Sequence, residues 1–359
     1  MPNASPFKPL KAVQEKLDFD DIEYPKLFSL KIDGAYSVNL NSNLLSRSLK
    51  PFANKWIGQK LSGDLFEGFI GEIIHANLTD PELRINRASA CRETTSCTNT
   101  KEKTDWDFLW VMFDYIGDGT KEYAAVPYTE RMKTLFFTLD NVGEFQSIIS
   151  IAGFHLHHYI LEGDNGKVDI LFPSLKEVES ADDARALYIH AVENGGEGTV
   201  GRKPDGAHKF GRSTKKSQEF VRFKPEGTGE IIVTGFEQMF QNNNEAKINE
   251  LGYTERSSHK ENKVAMESVG AIIGIDLATG EETKIGAGTL DWDERAAIWA
   301  DQQAWIGRIS SFAYMDSGKK DKYRHPRHKL WRNLKDMDAD AVIAFAKEKG
   351  VYLNVSTDQ

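Results

Sequence analysis

The amino-acid sequence predicts an α+β fold in two parts, a larger domain of antiparallel sheets with helices followed by a small β-barrel. Three observations lead there. Apolar and polar residues alternate over residues 27–32, 35–40 and 44–48, the period of a strand, with Asp33-Gly34 and Asn41-Ser42-Asn43 between them, which reads as an antiparallel meander. Pro225-Glu226-Gly227-Thr228-Gly229 has the composition of a linker. Beyond it the texture changes to short strands with one inserted helix, the pattern of a small barrel.

Taken in order, residues 1–25 read as a lead-in ending at Tyr24-Pro25, with at most one helix over 10–17. A short amphipathic helix over 52–61 and a strand over 69–75 follow the meander. Residues 78–104 are polar and rich in Arg, Thr and Ser, which reads as a surface loop of the kind that borders a site. Alternation marks a buried strand over 106–115, and helices are expected over 128–138 and 142–151. The best-signalled helix runs over 181–193: Ser180 is its N-cap, Asp183 takes the capping-box position, Ala184, Leu187, Tyr188, Ala191 and Val192 share a face, and Gly195-Gly196 stops it. A strand opening on Glu197 and another over 220–224 close the larger domain, expected to span 1–228. In the remainder, 229–359, strands are expected over 230–236, 265–275, 282–286 and 307–315, with helices near 293–303 and 339–349.

With 359 residues, 40% hydrophobic and 28% charged, the chain is long enough for two domains, each with a core. No apolar run approaches the roughly 20 residues of a membrane span, and Met1-Pro2-Asn3-Ala4-Ser5-Pro6 lacks the basic and apolar regions of a secretory signal, so a cytoplasmic protein is expected. Two cysteines, Cys91 and Cys97, are too few for a zinc cage of cysteines or a disulfide scaffold and suit a reducing compartment. A net charge of −9 argues against a protein that coats nucleic acid. Two local strips are nevertheless basic. One carries Lys203, Lys209, Arg212, Lys215, Lys216, Arg222 and Lys224, the other Lys319, Lys320, Lys322, Arg324, Arg327, Lys329 and Arg332.

The chemistry centres on Leu30-Lys31-Ile32-Asp33-Gly34. Strand alternation turns Lys31 to the face opposite Leu30 and Ile32, where a lysine can be a solvated charge or a pocket nucleophile. A lysine that attacks a nucleotide α-phosphate needs cations for the phosphates, a carboxylate for a divalent metal and an aromatic wall for the base. Glu72 and Glu197 each stand next to glycine at a strand end or start, and Phe113 lies on a strand. Arg222 and Lys224 alternate with Val221 and Phe223, which puts both cations on one strand face.

Lys31-Ile32-Asp33-Gly34, Ser46-Arg47, Gly71-Glu72, Phe113, Glu197-Gly198 and Arg222-Phe223-Lys224 come in the order and approximate spacing of the collinear motifs of covalent nucleotidyltransferases, and the chain resembles the compact ATP-dependent DNA ligases of bacteriophages. His208-Lys209-Phe210-Gly211-Arg212-Ser213-Thr214 and Arg324-His325-Pro326 with Arg332 are similar to further ligase segments, so the resemblance covers nearly the whole chain. It implies a nucleotidyltransferase (adenylation) domain and an OB-fold domain. It also implies ATP and Mg²⁺ as cofactors, nicked double-stranded DNA as partner and a monomer, in the cytoplasm of a host cell if the protein is phage-encoded. By resemblance Lys31 is the adenylated nucleophile. Arg47, Lys209, Arg222 and Lys224 contact the nucleotide, mainly its phosphates. Glu72 and Glu197 serve ribose and metal, Phe113 stacks on adenine, and Arg324 and Arg332 place pyrophosphate or DNA. The reaction implied is nick sealing through lysyl-AMP and DNA-adenylate, with 225–229 as the hinge of the moving small domain. NAD-dependent ligases would require a nicotinamide-binding domain and a four-cysteine module.

Three positions depart from the ligase pattern. Tyr36 stands where many ligases have arginine, Ile70 replaces the Asp of Asp-Gly-Glu, and Arg222 replaces lysine, keeping the charge but not its geometry. Other readings are an RNA ligase or an mRNA-capping guanylyltransferase of the same superfamily, and a non-catalytic nucleic-acid binder.

Overall fold

The computed structural model describes residues 7–78, 90–315 and 322–354. The chain divides into two compact units, Met1–Pro225 with Asn249–Tyr253, and Glu226–Ile248 with Thr254–Gln359. Among the described residues no helix is long and apolar enough to cross a membrane.

The first unit contains, in order, β1 (Lys26–Leu30), β2 (Ala35–Leu40), β3 (Asn43–Ser46), α1 (Lys55–Lys60), β4 (Phe69–Ile74), α2 (Ala90–Asn99), β5 (Leu109–Tyr115), α3 (Lys121–Ala124), α4 (Tyr128–Val142), β6 (Gly143–Ile151), β7 (Phe154–Gly163), β8 (Gly166–Pro173), β9 (Lys176–Val178), α5 (Ala181–Glu193), β10 (Thr199–Arg202) and β11 (Phe220–Phe223). They form a seven-stranded sheet in the order β3-β2-β4-β5-β8-β7-β6 and a four-stranded sheet in the order β11-β10-β1-β9.

The expected meander is therefore split between two sheets. The β2–β3 hairpin forms, with Asn41 and Ser42 at φ 51° and 60° in the left-handed region that a tight hairpin turn needs. Strand β1, however, pairs with β9 and β10. Its Phe28, Ser29 and Leu30 are all buried, as befits a strand inside a sheet covered on both faces. Residues 31–34 are the crossing from one sheet to the other, which places Lys31 between them.

The larger sheet is mixed rather than purely antiparallel, since β5 and β8 run parallel. Between them the chain passes two helices and the β6–β7 hairpin, a connection long enough to bring β8 back in the same direction. Residues 143–151 are strand, not helix: β6 pairs along its length with β7, and its Ile148, Ile149 and Ile151 suit a pleated surface. Residues 10–17 hold no helix: Lys11 and Val13 donate their N–H groups to Gly211 and Phe220 carbonyls at 2.7 and 3.0 Å, and the chain bends at Gln14 and Glu15. Part of the expected loop over 78–104 is helix α2, which buries Ala90, Thr94, Cys97 and Thr98 at helical spacing. A threonine-bearing face carries little hydropathy signal; residues 79–89 of that stretch lie outside the described residues. Helix α5 spans the predicted residues, with Ser180 Oγ accepting from the Asp183 N–H at 3.2 Å.

One face of the larger sheet packs Phe69, Trp110, Met112 and Leu161 against Tyr128, Met132, Leu135 and Leu139 of α4. On the other side Leu30 of β1 joins Ile74, Val111, Phe154, Leu171 and Ala191, so the two sheets share a core.

The second unit contains β12 (Gly227–Asn242), β13 (Ala246–Ile248), β14 (Thr254–Arg256), β15 (Lys263–Asp276), β16 (Glu282–Gly286), α6 (Trp292–Ala300), β17 (Ile309–Met315), β18 (Arg324–Arg332) and α7 (Ala339–Lys349). The strands β12-β15-β16-β18-β17 make a closed barrel. Closure depends on a short parallel bridge, Gly286 to Arg327. Ile231, Val233, Val269, Ile272, Ile285, Ile298 and Phe312 fill it. Asp291 and Glu294 form a reciprocal capping box at the start of α6. Most of the second basic strip is strand β18; Lys319 and Lys320 lie outside the described residues.

Candidate active site

The site lies where the two sheets of the first unit meet. Lys31 continues β1 by one residue, its N–H donating to the Gly198 carbonyl at 2.9 Å. Its Nζ donates to Glu197 Oε2, and the two side chains are only 17% and 8% exposed. Gly198, next to Glu197, lies close against β11: its φ is +127°, and a Cβ there would sit 2.1 Å from the Phe223 carbonyl oxygen. Burial pushes the Glu197 carboxyl up to about 7, and Asp33 and Glu72 add to the rise while Lys31 opposes it. Its Oε1 is buried without a hydrogen-bond partner.

The larger sheet supplies the opposite wall. Glu72 on β4 accepts from the Gly34 N–H at 2.7 Å. Its other oxygen stands 3.7 Å from Arg47 Nη2, just past the end of β3. A side chain at position 34 would collide with the Ile73 carbonyl at 2.4 Å, so the glycine after Asp33 is what lets the crossing segment lie against β4. Burial raises the Glu72 pKa, with Lys31, Arg47 and the Gly34 N–H acting against the rise. Tyr36 faces Glu72 across the β2–β4 pair. It lies 5.9 Å from Phe113, ring centroid to centroid, and the Arg47 guanidinium lies 5.0 Å from its centroid.

Between these walls is a cleft of about 190 Å³ lined by Lys31, Arg47, Glu72, Phe113 and Arg222 among the sequence-derived candidates, together with Val200, Arg202 and Arg212. Arg222 extends from β11 on the face opposite buried Val221 and Phe223. Its pKa is lowered by burial first, then by Arg212 and Arg47. Cations that crowd one another in this way favour an anionic ligand.

Glu197 reaches the site through Lys31. Lys209 and Lys224 are not among the residues lining the cleft. Arg324 and Arg332 lie at the two ends of β18 in the second unit, where Arg332 pairs with Glu230 at 3.1 Å and donates to the Asp336 carbonyl at 3.2 Å.

Sequence reasoning did not single out the buried support behind Phe113. Asp114 is fully buried and accepts from Arg131 Nε and Nη2 at 2.8 and 3.2 Å and from His208 Nδ1 at 3.0 Å, with Arg202 Nη1 at 3.8 Å. The Leu10 N–H donates to His208 Nε2 at 3.2 Å, which fixes the neutral tautomer with its proton on Nδ1. The available signal was an acid inside the otherwise apolar and aromatic run 108–115.

No family model and no curated protein sequence matches the chain. Solved structures do. A structure from a structure-function study of Lig E DNA ligases is 14% identical, covers 90% of this chain and 99% of that one, and superposes with a TM-score of 0.56. The structure "Pmar-Lig_Pre." is 18% identical over 91% of this chain and 68% of its own, with a TM-score of 0.58. Chlorella virus DNA ligase-adenylate is 24% identical over 91% and 98%, with a TM-score of 0.46. Over nine tenths of its length the chain has the fold of solved DNA ligases, Lig E among them.

Proposed function

We propose that the chain is an ATP-dependent DNA ligase that seals 5′-phosphate/3′-hydroxyl nicks in duplex DNA through lysyl-AMP and DNA-adenylate. The observation that carries this reading is Lys31 Nζ hydrogen-bonded to Glu197, whose side chain is 8% exposed, at the edge of a cleft crowded with arginines. That is an arrangement for a nucleophilic amine and a phosphate ligand.

In the first step Nζ attacks the α-phosphorus of ATP. The Nζ–P bond forms as the bond from that phosphorus to the bridging oxygen breaks, pyrophosphate leaves, and Nζ gives up protons to Glu197 and to solvent. Arg47, Arg222 and Lys224 hold phosphate charge, Lys209 adds to the cationic surround, Phe113 stacks on adenine and Glu72 orients the ribose. In the second step the 5′-phosphate at the nick takes AMP from nitrogen; in the third the 3′-hydroxyl displaces AMP and the strand is sealed.

The residues present fit Mg²⁺. Glu197 has an unpartnered carboxylate oxygen and Glu72 lies on the other wall. No cluster of three or more His, Cys, Asp or Glu side chains forms a cage among the described residues, as suits an ion held by one or two carboxylates and substrate phosphates. When bound, Mg²⁺ offsets charge on the departing pyrophosphate. Residues 1–228 are the adenylation domain in this reading and 229–359 an OB-fold, whose Arg324 and Arg332 serve pyrophosphate or DNA. DNA binding runs through phosphates and weakens steeply with salt. The protein acts as a monomer in the cytoplasm.

The test pairs two assays. With Mg²⁺, nucleotide labelled at the α-phosphate is expected to mark the protein from ATP and not GTP, and nicked DNA is expected to be sealed in preference to nicked RNA. GTP labelling would mean a capping-type guanylyltransferase, and sealing confined to RNA an RNA ligase.

A further inference from the structure

Two buried polar groups on the cleft wall have no hydrogen-bond partner: the Tyr36 hydroxyl and Arg202 Nη1. Their residues are 7% and 4% exposed, and both line the same cleft. Leaving such groups unsatisfied is costly, so a fold keeps them where something else completes them. The other cations that line the cleft, Lys11, Lys31, Arg47, Arg212 and Arg222, are all less buried than this pair. Arg202 is different in its surroundings too. Its charge faces Asp114 at 3.8 Å, and its guanidinium is stacked on Phe220 at 3.9 Å and near Tyr128 at 5.3 Å. Tyr36 packs beside Phe113. Tyr36 and Arg202 thus line the cleft together with Phe113, Tyr128, Val200 and Phe220, the Arg202 Nη1 ion-paired to Asp114 but without a hydrogen bond.

Resting on the ligase reading, we infer that Tyr36 and Arg202 form a donor pair that recognises the ring-nitrogen edge of the nucleotide base, making Tyr36 a specificity-determining residue. Flat apolar walls suit the faces of a base. A purine such as adenine offers only acceptors at its ring nitrogens N1, N3 and N7, while its exocyclic amine is a donor; two donors therefore read the ring edge. The tyrosine occupies a position where an arginine would bring a further charge to the phosphates. Here a neutral, buried hydroxyl stands instead, and the Arg47 guanidinium lies 5.0 Å from its ring centroid. The pair spans both sheets, Tyr36 from β2 and Arg202 from β10, so base contact also ties the two walls together.

The test uses the whole protein, ATP and its 1-deaza, 3-deaza and 7-deaza analogues, each lacking one ring acceptor, with adduct formation as readout. Wild type is expected to use one analogue about five- to tenfold less efficiently than ATP, the scale of one neutral hydrogen bond. Tyr36→Phe is expected to fall to that level with ATP itself and to lose nothing further with the same analogue. It should melt no lower than wild type, because it removes an unsatisfied buried oxygen. A Tyr36→Phe protein with wild-type efficiency on ATP, or one whose loss adds in full to that of every analogue, overturns the inference and leaves the ligase reading standing. Absence of any adduct in wild type overturns both.

Discussion

Glu197→Gln is expected to slow adduct formation with ATP by roughly 10²–10⁴-fold, the range in which a positioned proton acceptor contributes. The amide keeps the shape of the carboxylate and an oxygen toward Lys31, so the loss should fall on the rate at saturating ATP and not on apparent affinity. The structural basis is specific. Lys31 Nζ donates to Glu197 Oε2, and burial holds that carboxyl near 7, where it can take a proton in neutral solution and release it again. A Glu197→Asp variant should recover part of the rate. Single-turnover labelling measures both; a Gln variant within threefold of wild type would show that Lys31 loses its proton elsewhere.

Asp114→Asn is expected to destabilise the first unit by about 3–5 kcal/mol, because it leaves the Arg131 guanidinium, 1% exposed, without its counter-charge. For a unit of this size that corresponds to a melting point lower by about 10 °C. Burial works against the Asp114 carboxylate, but Arg131, His208 and Arg202 outweigh it and hold its pKa well below the ordinary 3.8. Burial likewise keeps the His208 pKa below its ordinary 6.5. A depressed folded pKa stabilises above the unfolded value and is lost as pH falls through it, for the acid and the histidine alike. Wild-type melting temperature should therefore begin to fall below about pH 6.5 and fall more steeply below about pH 4. Asp114→Asn should lack the lower step. Thermal unfolding followed by circular dichroism across that range checks both parts, and a loss under 1 kcal/mol would mean that Arg131 finds other partners.

What could be read from the sequence depended on how local the determining contacts are. Helix α5 was legible to the residue since its cap, apolar face and glycine stop are all written within sixteen residues, 180–195. The β2–β3 hairpin was legible from its Asn-Ser turn. Strand β1 was legible as a strand but not in its partners, which come from residues 176–178 and 199–202. Residues 143–151 were expected as helix and form β6 instead, which leaves Phe145 and Ile148 exposed and so shows no strand alternation. Around the candidate site, Lys31, Arg47, Glu72, Phe113 and Arg222 met in the cleft, while Lys209 and Lys224 did not line it. Gly34 and Gly198, within the motifs of Lys31 and Glu197, stand where a Cβ would collide with backbone. The Asp114 network was not legible, because its partners Arg131 and His208 are remote in sequence, and the segment that opens on His208 does not show which residue it pairs with. The buried Tyr36 hydroxyl needed the packed structure, since exposure and partners cannot be read from a residue type.

The central claim is that Lys31 is the adenylated nucleophile. The most direct measurement incubates the protein with Mg²⁺ and ATP labelled at the α-phosphate, denatures it and maps the label to a peptide. The account predicts an acid-labile, phosphoramidate-linked AMP on Lys31 in wild type and none in Lys31→Ala. A label that persists in Lys31→Ala, or no ATP-derived label in wild type, would contradict it.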